Sequence, residues 1–234
     1  MKFNWAFFVK AIGYKVLSVI LTAIIALMIT DDYRIAIAVG VWDSIAKLAL
    51  YYGYEELFNR VFYRKVKPSV IWMTGLSGAG KTTISKQIEK QLTKAGNKVV
   101  LLDGDEIRNM FPSTGFDIES RKAHNKRVAY MASLLKEQGS TVIVSLISPM
   151  HESRLEAREL CGDRFFEVYI ATSLELCEER DVKGLYKKVR NGEIANFTGI
   201  DSPYDIPEFP EIEVQTNGHT VKHCADTIIK QIRK

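Results

Sequence analysis

The segment from Gly75 to Thr83 carries the most specific chemistry in the sequence. It reads G-L-S-G-A-G-K-T-T and matches the pattern G-x-x-x-x-G-K-[ST]. The glycines let backbone N–H groups turn inward around phosphate oxygens, and a helix that starts there adds the positive end of its dipole. Lys81 is predicted to reach the β- and γ-phosphates of ATP, and the Thr82 hydroxyl to hold Mg²⁺. The predicted ATP-binding residues are Gly75, Leu76, Ser77, Gly78, Ala79, Gly80, Lys81, Thr82 and Thr83.

Two carboxylates form a second candidate group. Asp103 and Asp105 follow the apolar run that ends at Leu102. In open α/β sheets, ligands gather at the carboxyl ends of the strands. Two acids placed there can serve a magnesium ion and the hydroxyl group of an acceptor. The D-G-D pattern alone is a weak signal, because acids are also common in turns.

These residues need a sheet with helices to position them. Beyond Pro68, β-rich runs alternate with helical patterns, which predicts a P-loop NTPase-type α/β fold: a parallel sheet with helices on both faces. The predicted strands are Val70–Thr74, Lys98–Leu102, Thr141–Leu146, Phe165–Ile170 and Ile212–Gln215. The predicted helices are Lys81–Ala95, Arg121–Gln138, Glu152–Leu160, Leu174–Glu179 and Val221–Ile232.

The composition limits the class of partner. Apolar residues make up 47% of the chain and charged residues 26%, as in globular proteins. The formal net charge is +4, with basic residues spread along the chain. This suits anionic small molecules or a membrane surface and does not favour nucleic acid. Cys161, Cys177 and Cys224 lack metal-ligand spacing and are expected to be reduced thiols in a cytoplasmic domain.

The N-terminal region is more apolar than the rest. No charged residue lies between Val16 and Thr30, and a second apolar segment, Ile35–Tyr54, is interrupted by Asp43 and Lys47. A membrane span needs about 20 mostly apolar residues. Asp43 and Lys47 are four positions apart, so on a helix they share a face and neutralise each other. We predict a helical hairpin that crosses the membrane twice. An amphipathic pair of helices on the membrane surface, or packed on the following domain, is the alternative.

The flanking charges predict the orientation of this hairpin. The loop between the spans carries two acids and one arginine, whereas basic residues lie outside them: Lys2, Lys10, Lys15, Arg60, Arg64, Lys65 and Lys67. The positive-inside rule therefore places both ends in the cytoplasm. We expect a multi-pass protein of the inner (cytoplasmic) membrane, with residues 1–66 as the hairpin and 67–234 as a cytoplasmic kinase domain. The hairpin also loosely resembles a two-span domain of unknown function in bacterial membrane proteins, through Lys47, Tyr51, Tyr52 and Glu55.

The second domain resembles the adenylylsulfate kinase family between Val70 and Gln215. Besides the phosphate loop, the resemblance rests on Leu102–Arg108, Gly115-Phe116, Ile147–Pro149 and the run from Cys177 to Tyr204. That run reads C-E-E-R-D-V-K-G-L-Y-K-K-V-R-N-G-E-I-A-N-F-T-G-I-D-S-P-Y. Other phosphate-loop kinases do not share it. The resemblance implies a kinase that uses ATP and Mg²⁺ to phosphorylate the 3′-hydroxyl of adenosine 5′-phosphosulfate (APS), giving 3′-phosphoadenylylsulfate in sulfate activation.

The resemblance also implies catalytic roles. Asp105 would lie beside the acceptor hydroxyl, and Asp103 with Thr82 would hold the metal. Ser148 matches a serine described in the family as a phosphoserine intermediate, although phosphate-loop chemistry transfers phosphate directly and in line. The implied catalytic residues are Lys81, Asp103, Asp105 and Ser148.

For the acceptor site, the resemblance implies two arginines that bind the phosphosulfate, two aromatic rings that enclose the adenine, and a mobile lid that carries Lys183, Lys187 and Lys188. The structural alternatives are core packing for the rings and a solvated helix face for the lysines. The implied substrate-binding residues are Asp105, Arg108, Phe116, Arg121, His124, Ile147, Ser148, Lys183 and Phe197.

The sequence departs from the family pattern on the acceptor side. Where the family has D-R-x-E-N-I-R-R-V, residues 120–128 read S-R-K-A-H-N-K-R-V, so His124 replaces an asparagine. Leu146 replaces a phenylalanine, and Met150-His151 replaces an aromatic residue and an arginine. Histidine titrates near neutral pH, so we expect His124 to contact the acceptor or its 5′-anion and to charge beside it. A His124 that faces solvent or a neighbouring helix is the alternative.

Three functional hypotheses remain open. The leading one is an adenylylsulfate kinase with APS as its small-nucleotide substrate. The second is a kinase that acts on the 3′-hydroxyl of another activated nucleotide, as His124 and His151 suggest. The third is a non-catalytic, nucleotide-binding membrane adaptor. The residues that argue against it are Lys81, Thr82, Asp103 and Asp105. A homodimer is an oligomeric state that we keep open.

Overall fold

A computed structural model of the chain describes residues 20, 22, 24–26, 28, 29, 32–62, 66–111, 115 and 117–233. The chain separates into two compact units, Met1–Arg64 and Lys65–Lys234. This division falls two residues before the domain boundary proposed from the sequence.

The N-terminal unit contains the long helix α1, Tyr33–Phe62. Among the described residues, the stretch Tyr33–Gly53 of this helix is the one that is long and apolar enough to cross a membrane. Lys47 Nζ lies 2.7 Å from Asp43 Oδ2, which confirms that these two residues share a helix face. Most of the predicted first span lies outside the described residues. The large apolar side chains exposed on α1 include Ile37, Val41, Trp42, Ile45 and Leu50.

The second unit is built on a parallel sheet of five strands in the order β2-β3-β1-β4-β5. The strands are β1 (Val70–Thr74), β2 (Val99–Asp103), β3 (Thr141–Ser145), β4 (Phe165–Ala171) and β5 (Ile212–Gln215). The register places Asp103 opposite Ser145 and Thr74 opposite Tyr169. The carboxyl ends of the strands therefore meet at one edge, where the side chains that follow them lie close together.

The helices of this unit are α2 (Lys81–Lys94), α3 (Gly104–Met110), α4 (Ile118–Glu137), α5 (His151–Cys161), α6 (Leu174–Arg180), α7 (Leu185–Arg190) and α8 (Val221–Ile232). The five predicted strands and five predicted helices are present, with ends that move by at most three residues. The short helices α3 and α7 were not predicted, because a single turn or two gives little hydrophobic periodicity.

Side chains alternate across the strands and form a core on each face of the sheet. Ile71 and Met73 of β1 pack on one side with Ile84 and Ile88 of α2 and with residues of α8. Val70 and Trp72 pack on the other side with Val128 of α4 and residues of α5. The predicted fold, a parallel sheet with helices on both faces, is confirmed.

Candidate active site

The phosphate loop connects β1 to α2 at the carboxyl edge of the sheet. Gly75, Gly78 and Gly80 all have positive φ angles, at 149°, 76° and 103°. A Cβ atom on Gly75 would lie 2.8 Å from the carbonyl oxygen of Ile170, so a side chain does not fit there. Gly80 is the N-cap of α2 and no side chain caps this helix end. The N–H groups of its first turn are therefore not used by a side-chain cap, as binding of a phosphate requires.

Lys81 is the basic group of this loop. It is buried, and its Nζ donates to the carbonyl oxygens of Gly75 and Leu76 at 2.8 Å each. Burial lowers the pKa of Lys81 to about 8, although Cys177, Asp105 and Asp103 act in the opposite direction. With a pKa of about 8, Lys81 is still mainly charged at pH 7, next to the loop that the phosphates would enter.

Thr82, Asp103 and Ser145 come together beside Lys81. The Thr82 hydroxyl donates to Asp103 Oδ2 at 2.9 Å and lies 3.3 Å from Ser145 Oγ. Mg²⁺ binds through one or two oxygen ligands from the protein together with water and substrate phosphates. One hydroxyl and one carboxylate next to the phosphate loop fit this ion. Ser145 was missed in the sequence, where it was read only as part of a strand.

Asp105 lies next to this cluster but faces outward. Asp103 Oδ1 accepts a hydrogen bond of 3.0 Å from the Asp105 N–H, so Asp103 caps α3 while its other oxygen contacts Thr82. The exposed carboxylate of Asp105 forms an ion pair with Lys183 Nζ. The loop between α6 and α7 is thereby joined to the carboxyl edge of the sheet.

Helix α7 is also joined to the phosphate loop. The Tyr186 hydroxyl donates to the Ser77 carbonyl oxygen at 2.9 Å. The Tyr186 and Phe197 rings pack edge to face with centroids 5.0 Å apart, and Phe197 remains half-buried. Lys187 and Lys188 are exposed on α7. No role had been given to Tyr186, since a hydrogen bond to a main-chain carbonyl leaves no pattern in the sequence.

The two arginines expected to bind the acceptor bind loop segments in this structure. Arg108 Nη1 donates to the Gly115 carbonyl oxygen at 2.7 Å. Arg121 Nη1 donates to Thr198 Oγ1 at 2.7 Å, and Arg121 also donates to the Asn196 carbonyl oxygen. Both side chains are half-buried at the carboxyl edge. Phe116, the other ring expected at the adenine, lies outside the described residues.

Ser148 follows β3 in a constrained conformation. Its φ angle is 45°, a left-handed value, and the residue is 2% exposed. Its Oγ accepts from Asn125 Nδ2 at 3.1 Å and from Trp72 Nε1 at 3.3 Å. The carbonyl oxygen of the preceding Ile147, which is half-buried, accepts from Thr74 Oγ1 at 2.6 Å. Positive φ is uncommon for a residue with a side chain, so these bonds hold a loop that would otherwise relax.

His124 differs from expectation. It is 1% exposed, so it does not face solvent, and among the described residues neither ring nitrogen forms a hydrogen bond of ordinary geometry, although the Gly104 backbone lies near enough to act on the ring. Burial and the positive Arg108 lower its pKa to about 4, with a smaller contribution from Arg127, against the opposing effects of the Gly104 backbone and Asp105. A pKa of about 4 favours the neutral ring at pH 7, and the expected charging of His124 beside a bound acceptor anion stays a prediction.

Asn125 was also overlooked in the sequence. The family pattern quoted above places isoleucine at this position, so the same comparison that singled out His124 contained the signal. Its bond to Ser148 joins α4 to the loop after β3. The two departures from the family pattern at positions 124 and 125 are thus both buried at the acceptor end of α4.

The comparisons with known proteins agree with this geometry. Residues 67–215 match the family Adenylylsulphate kinase, and residues 8–58 match the family Predicted membrane protein (DUF2061). The chain is 48% identical over 177 residues to the adenylyl-sulfate kinase of Clostridium acetobutylicum, covering 75% of this chain and 88% of the relative. It is 45% identical to the probable adenylyl-sulfate kinase of Bacillus subtilis, covering 73% and 87%.

A solved structure extends the likeness to three dimensions. The APS kinase of Mycobacterium tuberculosis, in complex with AMPPNP and APS, superimposes with a TM-score of 0.70 at 38% sequence identity. The superposition covers 72% of this chain and 99% of that one. Family match, sequence identity and fold coincide over the residues that form the phosphate loop and the carboxyl edge. The chain belongs to the adenylylsulphate kinase family.

Proposed function

We propose that this protein transfers the γ-phosphate of ATP to the 3′-hydroxyl of APS, giving 3′-phosphoadenylylsulfate and ADP. The observation that carries the proposal is the contact of 2.9 Å between the Thr82 hydroxyl and the Asp103 carboxylate, beside Lys81 and next to Asp105. A donor-phosphate site and an exposed acid meet there in a chain 48% identical to an adenylyl-sulfate kinase.

On the donor side, the chain binds and orients the phosphates. The N–H groups of the phosphate loop and the Lys81 ammonium bind the β- and γ-phosphate oxygens and stabilise the charge that grows on them during transfer. Thr82 and Asp103 would hold Mg²⁺. That ion, when bound, neutralises part of the phosphate charge. To bind the phosphates, Lys81 must exchange its hydrogen bonds to two carbonyl oxygens for hydrogen bonds to phosphate oxygens.

On the acceptor side, Asp105 is the group that takes up the proton of the 3′-hydroxyl. Its carboxylate is exposed, in contrast to that of Asp103, and therefore accessible to a substrate. Lys183 forms an ion pair with Asp105 and is released towards substrate anions as the acceptor enters. Arg108 and Arg121 supply positive charge for the phosphosulfate. Phe197, Ile147 and His124 are assigned to the nucleoside, together with Phe116, whose assignment rests on the sequence alone.

Ser148 acts by position, without a covalent intermediate. Its hydroxyl oxygen already accepts two hydrogen bonds and the side chain is buried. Attack on ATP would break both bonds and expose the buried loop. We assign to Ser148 the task of shaping the acceptor pocket, in agreement with direct in-line transfer.

The test is an assay of ADP release with APS and a panel of other 5′-activated nucleotides as acceptors. Turnover with APS at low concentration, lowered at least about a hundredfold by Lys81→Ala, supports the proposal. Turnover with another nucleotide and none with APS would contradict it. If no nucleotide in the panel supports ADP release, the nucleotide-binding adaptor is favoured.

A second candidate function is phosphorylation of the 3′-hydroxyl of a different nucleotide. The observation that favours it is the bond between Asn125 and Ser148, because the family pattern has isoleucine at position 125 and cannot make this bond. The same panel assay distinguishes the two candidates by the ratio of kcat/KM between acceptors.

The kinase unit is, in our proposal, attached to the inner (cytoplasmic) membrane through an N-terminal two-span hairpin. The match to a predicted membrane protein family over residues 8–58 and the apolar stretch Tyr33–Gly53 support this placement. Full-length protein should sediment with membranes and resist extraction by high salt and alkaline carbonate. Recovery in the soluble fraction without detergent would contradict insertion. A protein that begins at Val66 should be soluble and retain kcat, since every proposed site residue lies beyond it.

A further inference from the structure

Six basic residues surround the edge of the sheet that lies opposite the active site. We call this surface the basic edge and define it as Lys67, Lys94, Lys98, Lys136, Arg164 and Arg233. Lys98 and Arg164 directly precede β2 and β4, and their carbonyl oxygens accept hydrogen bonds from Thr141 and Val70 at 2.8 and 3.0 Å. Lys94, Lys136 and Arg233 lie at the ends of α2, α4 and α8, which run back from the active site.

The charges of the basic edge are not neutralised by acids. Lys67, Lys94, Lys98 and Arg233 are exposed. Lys136 donates to the carbonyl oxygens of Cys161 and Asp163, and Arg164 to that of Ile232, and these are uncharged partners. Among the described residues, no member of the basic edge forms an ion pair within 4.0 Å.

The excess of positive charge is local. The acids at this edge include Glu137, Glu159 and Asp163, so six basic residues minus these three acids leave an excess of three. Residues 66–234 as a whole contain 24 basic and 23 acidic residues, a difference of one. Favourable interaction with helix dipoles accounts for basic residues at the ends of α2, α4 and α8. It does not account for Lys67, Lys98 and Arg164, which precede strands.

The chain also enters the kinase unit at this edge. Val66 is buried, and its N–H donates to Asn97 Oδ1 at 2.8 Å, next to Lys98. In the sequence, Arg60, Arg64 and Lys65 come directly before it, after the apolar stretch Tyr33–Gly53. Basic residues that follow a membrane span are attracted to the anionic lipids of the cytoplasmic leaflet.

We propose that the basic edge is a docking surface for anionic lipid headgroups. Its residues belong to the kinase unit and are distant in sequence from Arg60, Arg64 and Lys65. The phosphate loop and the acceptor site lie at the opposite edge of the sheet, where nucleotides can reach them. The inference rests on the membrane attachment proposed above. It predicts a lipid-binding surface in the kinase unit itself, which can be measured without the hairpin.

The test uses the unit that begins at Val66, because the Clostridium acetobutylicum relative consists almost entirely of the matching region. Vesicles of pure phosphatidylcholine are compared with vesicles containing phosphatidylglycerol, at low and high salt. The double variant Lys94→Glu/Lys98→Glu reverses two charges of the basic edge. The matched control, Lys86→Glu/Lys222→Glu, makes the same change in net charge in the amino-terminal halves of α2 and α8.

We expect salt-sensitive binding to phosphatidylglycerol vesicles only, weakened at least about tenfold in Lys94→Glu/Lys98→Glu and less than about twofold in the control. No binding to anionic vesicles at low salt, or equal loss in both variants, would overturn the proposal. ADP release measured on the same samples shows whether each variant is folded and active. A failure of lipid binding with normal kinase activity is thus distinct from a failure of the proposed reaction.

Discussion

The donor and acceptor halves of the active site are built in different ways. The donor half consists of backbone N–H groups, glycines with positive φ, and the contacts of Lys81 and Thr82. The acceptor half consists of side chains whose partners are other side chains or distant carbonyls, as with Arg121, Asn125 and Ser148. A half built from backbone tolerates little variation, because its geometry depends on glycine. A half built from side chains can change its specificity one residue at a time.

The sequence shows the same contrast. All residues of the phosphate-loop pattern are present, whereas the departures from the family pattern, at His124, Asn125, Leu146 and His151, lie on the acceptor side. Leu146 packs against Gly104, where a Cβ atom would lie 2.3 Å from Leu146 Cδ2. The donor half therefore keeps the family pattern, and the residues that depart from it lie on the acceptor side.

The largest effect is expected for Lys81→Ala. Loss of the ammonium that stabilises the transferring phosphate should lower kcat/KM at least about a hundredfold, or about 3 kcal/mol. Steady-state ADP release measures it. Lys86→Ala is the matched control, because Lys86 is exposed on the same helix. Near-normal turnover of Lys81→Ala would contradict the assignment of the donor half.

The next effect concerns the stability of the acceptor half at acid pH. The pKa of His124 is lowered to about 4, so between pH 6.5 and 4 the unfolded chain binds more protons at this residue than the folded one. The free energy of unfolding should therefore fall as the pH falls through this window, by up to about 3 kcal/mol. Denaturant titrations of the kinase unit at pH 7 and pH 4.5 measure the fall.

His124→Asn should remove most of this pH dependence, because asparagine does not titrate in this range. His151→Asn is the control, since His151 is exposed. If the free energy of unfolding depends on pH equally in wild type and His124→Asn, His124 is not a buried neutral ring. In kinetics, His124→Asn should change the KM of the acceptor more than that of ATP.

A smaller effect, on the donor half, follows from the pKa of Lys81, which burial lowers to about 8. The charged form binds phosphate, and it is lost as the pH rises through this value. Since kcat/KM for ATP reports the free enzyme, it should fall about tenfold per pH unit above about 8. Lys81→Arg, which stays protonated, should be less active but lack this fall. A flat profile between pH 7 and 9.5 in wild type would contradict the account.

The smallest effect tests Asn125. Asn125→Ile restores the residue of the family pattern and removes one of the two donors to Ser148 Oγ. We expect the KM for the acceptor to rise about fivefold, equivalent to about 1 kcal/mol, with the KM for ATP within about twofold. Parallel kinetics with both substrates varied measure the split. Equal changes in both KM values would mean that Asn125 stabilises the folded kinase unit and has no specific effect on the acceptor site.

The two halves also differ in how well the sequence predicts them. The phosphate loop, five strands and five longer helices follow from local patterns, because glycine spacing and hydrophobic periodicity act over short stretches. The contacts of Tyr186 with Ser77 and of Asn125 with Ser148 join residues 109 and 23 positions apart. The burial of His124 depends on how α3 and α4 pack, and no local pattern contains that information.

The most direct measurement of the central claim is identification of the product formed from APS and ATP with Mg²⁺. Phosphorus NMR and mass spectrometry of the reaction of the kinase unit locate the new phosphate. The account predicts one 3′-phosphoadenylylsulfate per ADP, with the phosphate on the ribose 3′-oxygen and a rate at least about a hundredfold lower with Lys81→Ala. The account would be contradicted if the protein phosphorylated another nucleotide and left APS unphosphorylated.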